Sequence, residues 1–140
     1  MTKAHPFIDG DRIRRARTVR SIAPIYASLA TSLSAIPELR YIKLFHQRIS
    51  ASNALSTDGK NNPVVNVGAA GIVGVELLVD VDSTVVQFFA LTSAVPGCGR
   101  KIVEAVIAAT PEDWMLAVPF DWSGGFWQRM AQDHPRLSIF

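Results

Sequence analysis

The spacing of apolar positions changes along the chain. Between residues 11 and 33, Ile13, Val19, Ile22, Ile25, Tyr26, Leu29 and Leu33 recur mostly at three- and four-residue steps, which predicts amphipathic helix. Pro24 falls inside this run and predicts a kink or a division into two helices. Pro37 is placed to open a further helix, with Leu39, Ile42, Phe45 and Ile49 on one face. Residues 50–63 are rich in Ser, Asn, Asp, Gly and Pro, and predict the longest loop.

From Val64 the pattern turns to β-branched runs. Residues 64–67 read as a short strand and residues 68–71 as a glycine turn. Residues 71–79 and 84–92 then flank the polar turn 80–83, an antiparallel hairpin. Residues 100–109 return to helical spacing, with Ile102, Val103, Val106 and Ile107 apolar. Residues 114–118 are a buried-type strand, and Ser123 is placed to cap a helix over 124–132 that carries Phe126, Trp127 and Met130. Residues 136–140 read as a final edge strand. A late strand–helix–strand unit calls for a right-handed parallel crossover, so the fold expected is a single α/β domain over 1–140. Its mixed sheet sets hairpin strands beside a parallel pair.

Composition narrows the chemistry. The chain is 49% hydrophobic over 140 residues, which excludes general disorder and allows a real core. One cysteine excludes an internal disulfide framework, and His5, His46 and His134 show no metal-ligand spacing, so no metal is expected. The opening residues lack a signal-type apolar core, and residues 64–79 are too short and too interrupted to span a bilayer. A cytoplasmic protein with no membrane partner is the expectation. Residues 1–48 carry nine Lys/Arg against three acids (+6), whereas residues 49–140 carry five against nine (−4). The arginines at 12, 14, 15, 17 and 20 spread around a helix without interleaved aromatics. They read as a solvated face or homodimer contact rather than a nucleic-acid surface.

The stretch from Phe88 to Val103 carries the most chemistry. It runs from a buried strand through Gly97-Cys98-Gly99 into a helix that begins with Arg100 and Lys101. Amides at a helix start, the positive end of its dipole and two cations suit phosphate oxygens; an ordinary strand-to-helix turn built with glycine is the other reading. The turn lacks the GxxxxGK-Ser/Thr loop, and Ile102 occupies the third small position of a dinucleotide fingerprint.

The order of elements and this glycine turn resemble the GNAT N-acetyltransferase superfamily, which places two helices before a β-meander and a Q/R-x-x-G-x-G/A turn. Gly97 and Gly99 match the two small positions, residues 114–118 look like the next strand, and residues 121–130 resemble the last helix. The resemblance implies a GNAT-like fold: a mixed sheet with a splayed parallel strand pair, two N-terminal helices and two later ones. It implies acetyl-CoA as co-substrate, with pyrophosphate on the amides of Gly97, Cys98, Gly99, Arg100 and Lys101. Backbone groups near Ala90, Leu91 and Thr92 would pair with the pantetheine arm and polarise the thioester, and a primary amine would attack directly. Ala94 replaces the Gln or Arg of the turn, and Phe126-Trp127 stands where the family's tyrosine would protonate the departing thiolate. These departures keep open a non-catalytic CoA-binding or protein-interaction module.

Four other positions merit attention. Glu76 shares a strand face with Ile72, Gly74 and Leu78, and is the candidate catalytic base toward an ammonium substrate; a solvent-facing edge residue or a structural ion pair is the alternative. Cys98, at a helix start beside Arg100, is expected either to ionise readily or simply to fill the turn. Asp121 and Ser123 read as caps of the last helix or as ligand contacts.

Overall fold

The computed structural model describes residues 12–16, 19, 22–119, 121 and 123–139; Arg17, Arg20, Trp122 and Phe140 lie outside the described residues. Ten elements follow one another: β1 (Ile13–Arg15), α1 (Pro24–Ser34), β2 (Tyr41–Phe45), β3 (Arg48–Ser52), β4 (Val73–Asp80), β5 (Val85–Ser93), α2 (Cys98–Ala109), β6 (Met115–Val118), α3 (Phe126–Asp133) and β7 (Leu137–Ile139). The strands lie side by side in chain order in one mixed sheet. β2 to β5 form an antiparallel meander, while β1–β2, β5–β6 and β6–β7 are parallel. The mixed α/β class and the hairpin beside a parallel pair agree with the sequence pattern. Among the described residues, no helix is long and apolar enough to cross a membrane.

The N-terminal third departs from expectation. Residues 13–15 are a strand, and Pro24 is the first residue of α1 rather than a kink within it, its fixed φ and missing N–H costing nothing there. Residues 37–49, whose spacing predicts a helix, form most of the β2–β3 hairpin instead. There Ile42 and Leu44 are buried and Tyr41, Lys43 and Phe45 are not, a period of two. The hairpin closes through His46 and Gln47, with Gln47 in a left-handed conformation at φ 64°. Among the described residues a single N-terminal helix thus replaces the expected two. Residues 64–67 run as loop, and residues 50–52, expected in the loop, complete β3.

The register assigns each side chain to a face. Ile13, Ile42, Leu44, Ile49, Ala51, Val73, Val75, Leu77, Val79, Val86, Phe88, Leu116 and Leu137 fall on one face, and all are buried. The three helices cover this face in a row. Ser32 Oγ donates to the Ala105 carbonyl between α1 and α2 (2.7 Å), and Arg100 bridges α2 to α3.

Two arginines close helix C-termini, where the last carbonyls have no intrahelical donor. Arg12 donates to the carbonyls of Ser34 (2.7 Å), Ile36 (3.1 Å) and Leu39 beyond α1. Arg136 donates to those of Thr110 (3.0 Å) and Pro111 (2.6 Å) beyond α2.

Among the described residues, no helix lies on the opposite face. Residues 53–72 fold over its upper part, where a Cβ on Gly74 would lie 2.9 Å from the Val64 carbonyl oxygen. The Gly68 amide donates to Thr92 Oγ1 (3.2 Å). Asn53 pins the loop end, donating to the Gly71 carbonyl and accepting from the Val73 amide.

Candidate functional site

β5 is the element that makes a site. Its first half is paired on both sides: with β4, and with β6 over Val85–Met115, Val86–Leu116 and Gln87–Ala117. Beyond Gln87 the pairing with β6 stops, although β5 continues to Ser93. The β4 register jumps at the same place, from Leu77–Phe88 to Glu76–Ala90, so Phe89 is an inserted bulge residue.

The bulge resets the direction of the backbone. Strand amides and carbonyls alternate between the two neighbours. At the lower end the Thr84 carbonyl accepts from the Met115 amide, on the β6 side; at the upper end the Ala94 amide donates to the Ile72 carbonyl, on the β4 side. Counting from Ala94, residues 92 and 90 turn to β4, and residues 91 and 93 turn outward. Of the three backbone positions expected to meet a pantetheine arm, Leu91 alone faces away from β4; Ala90 and Thr92 belong to the β4 ladder. Thr92 is buried and its hydroxyl accepts from Gly68.

A cleft of about 210 Å³ occupies the space β6 leaves. Its β5 wall comprises Phe88, Phe89, Ala90, Leu91 and Ser93. Gly99 closes it from the first turn of α2, Ser123 from the turn before α3, and Phe126 and Trp127 from α3 itself. Phe88 and Trp127 pack with ring centroids 5.0 Å apart and planes tilted by 54°, and Phe126 meets Trp127 edge-on at 5.2 Å. Val67 reaches the same cleft from the long loop. Val67, Ser93 and the bulge residue Phe89 are contributors that the pattern analysis did not single out. The Phe88-Phe89 doublet, which stretches the core-facing spacing from two residues (86, 88) to three (88, 91), is the signal for the last.

The glycine turn is narrower than its sequence suggests. Gly97 is the N-cap of α2 at φ 82°, a left-handed conformation that explains glycine there. The Cys98 amide donates to the Val95 carbonyl (3.1 Å) and the Lys101 amide to the Gly97 carbonyl (3.3 Å). The amides of Gly99 and Arg100 precede the first helical bond, so helix geometry leaves them without an acceptor in α2. A Cβ on Gly99 would sit 3.5 Å from Phe126, an ordinary contact.

The Arg100 side chain turns away from the turn. Its Nε lies 3.2 Å from Glu104 Oε2 and an Nη donates to Asp133 Oδ2 at 2.8 Å; hydrogen bonding to Asp133, then both carboxylates' charge, pushes its pKa up. His134 Nε2 meets the same Glu104 oxygen at 3.0 Å. Lys101 remains exposed.

Cys98 corrects the expectation of an easily ionised thiol. It is buried, and desolvation followed by the charge of Glu38 pushes the thiol pKa up, against a smaller lowering by Lys101. The N-cap of α3 is Gly125 rather than Ser123; Ser123 still reaches an amide of the first turn, while Asp121 braces Ser123 and not the helix. Ser123 Oγ donates to Asp121 Oδ1 (2.6 Å) and accepts from the Trp127 amide (3.2 Å). The two bonds from Ser123 hold the Asp121 carboxyl below its usual range.

Glu76 stands apart from the cleft lining. It lies half-buried on the face turned away from α1–α3, in register with Ser50 on β3 and with the lining residue Ala90 on β5. No group of three metal-ligating side chains comes together among the described residues. No family model matches the chain, and no match is found among curated proteins or solved structures.

Proposed function

We propose that the cleft between β5 and β6 binds the thioester arm of an acyl-CoA, acetyl-CoA in the first instance, in a domain of GNAT-like architecture. The observation that carries this reading is the bulge at Phe89, which coincides with the end of β6 pairing. Together they open a cleft at the carboxyl ends of two parallel strands, where open α/β sheets place ligands. A volume of about 210 Å³ suits an acyl group and part of the pantetheine rather than the whole cofactor. The nucleotide end would then lie outside, with its pyrophosphate against the Gly99 and Arg100 amides and Lys101.

In this reading the Leu91 amide, turned from β4 toward the cleft, donates to the arm or to the thioester oxygen. An amine attacks the carbonyl carbon, the N–C bond forms, and the C–S bond breaks. Glu76 does not itself line the cleft, so as the base it takes the ammonium proton by way of solvent. The thiolate takes a proton from solvent, since an indole supplies none.

One observation favours binding without transfer. Trp127, at the position where the GNAT pattern has its acid, is 5% exposed and packed on Phe88 as a wall of the cleft. The two readings separate in one experiment. Acetyl-CoA at a hundredfold excess over its Kd raises Tm by about 5–10 °C in both. Free thiol is released upon addition of an amine panel only if transfer occurs. No thermal shift with acetyl-CoA overturns both.

A further inference from the structure

The face of β1–β3 turned away from α1–α3 carries cations and rings in an arrangement the linear sequence hides. Alternation puts Tyr41, Lys43 and Phe45 on that face of β2, and the register sets Arg14 beside Lys43 and Arg48 beside Phe45. The Arg48 guanidinium lies 4.1 Å from the Phe45 ring centroid, Lys43 Nζ lies 5.2 Å from the same ring, and Arg40 lies 5.8 Å from that of Tyr41. Among the described residues no ion pair joins these four cations; the ion pairs found there gather instead at Arg100, Glu104, Asp133 and His134. Lys43 is held only by neutral acceptors, Asn62 Oδ1 (2.9 Å) and the Lys60 carbonyl (3.4 Å). The Nε of Arg48 is buried without a hydrogen-bond partner. The carboxylates on this face, Glu76 and Asp80, stand on β4 and bound the cationic strip on one side.

We propose that this strip is a binding surface for single-stranded nucleic acid. Four cations on and beside adjacent strands match a phosphodiester backbone, and aromatic rings set among them give unpaired bases something to stack on. Rings on a sheet face can stack on unpaired bases but not on bases paired inside a duplex, which favours a single strand over a double one. The surface is distinct from the cleft, which lies beyond β5, and does not depend on what the cleft binds.

Fluorescence anisotropy of the full chain with fluorescein-labelled U15 and dT15 tests this, with the matching duplex as competitor and salt varied. Four phosphate contacts predict a slope of log K against log salt of about −3, and each cation removed lowers it by about 0.7. Arg48→Gln weakens binding and flattens the slope, whereas Arg48→Lys keeps the slope. Phe45→Leu keeps the slope while affinity falls about tenfold through lost stacking. All three changes leave the arginines of residues 12–20 intact, so a loss cannot be attributed to that segment. Thermal melting of each variant separates loss of the surface from loss of the fold. Unchanged affinity in folded Arg48→Gln and Phe45→Leu overturns the proposal. So does duplex competing as well as U15, or binding to vesicles containing phosphatidylserine but not to either oligonucleotide.

Discussion

The two halves of β5 obey different rules. From Val85 to Phe88 the strand is paired on both sides and Val86 and Phe88 are buried, as expected of a central strand. From Phe89 to Ser93 it is paired only with β4; Phe89 is 42% exposed and Leu91 is half-buried. Same-sheet, same-strand geometry thus yields core below the bulge and a cleft above it. One inserted residue separates the two, and it also decides which amides point into the opening.

The largest expected effect tests the closed half. Phe88→Ala removes a side chain that is 1% exposed and packed on Trp127, and should cost about 3–5 kcal/mol in urea denaturation. Leu91→Ala, in the open half, should cost clearly less; equal losses would mean that the two halves are packed alike. Gly97→Ala forces a side chain into φ 82° and should cost about 1–2 kcal/mol, with no steric contribution because no atom lies within 4 Å. Asp133→Asn breaks a pair whose side chains are 46% and 50% exposed, so melting should be unchanged. It also loosens Arg100, and on the proposed reading anion affinity at the α2 turn should rise.

The smallest effect concerns pH. The folded state raises the Cys98 thiol pKa, so it keeps a proton that the unfolded chain has already lost. The resulting stability is present below the ordinary thiol range and disappears as pH rises through the folded value. Cys98→Ala should therefore flatten the alkaline decline in Tm, and alkylation of the native thiol should be slow at pH 8. Burial raises the Tyr26 phenol in the same direction, so a residual decline at still higher pH should persist in the variant.

What the sequence revealed depended on how local each signal was. The strands around 73–80, 85–93 and 115–118, and the helices at 98–109 and 126–133, follow from β-branched runs, glycine turns and helical spacing. Residues 37–49 misled because Leu39, Ile42, Phe45 and Ile49 also fit a period near 3.6. The hidden discriminators are Leu44 in the core and a tight turn made by His46 and Gln47, with neither Gly nor Asn to announce it. For the cleft, Gly97 and Gly99 were legible as a turn, but the commitment of Arg100 to Asp133, 33 residues away, was not. Nor was the pairing of Glu76 with Ala90, which depends on a register set by the bulge.

The central claim is that the bulge-opened cleft receives an acyl-CoA arm. Amide chemical shifts of the labelled chain during titration with acetyl-CoA test it most directly. The account predicts saturable shifts concentrated at Leu91, Ser93, Gly99 and Arg100, with Trp127 following, and little change at Val86 in the closed half of β5. Absence of shifts at saturating acetyl-CoA, or shifts confined to residues away from the cleft, would contradict it.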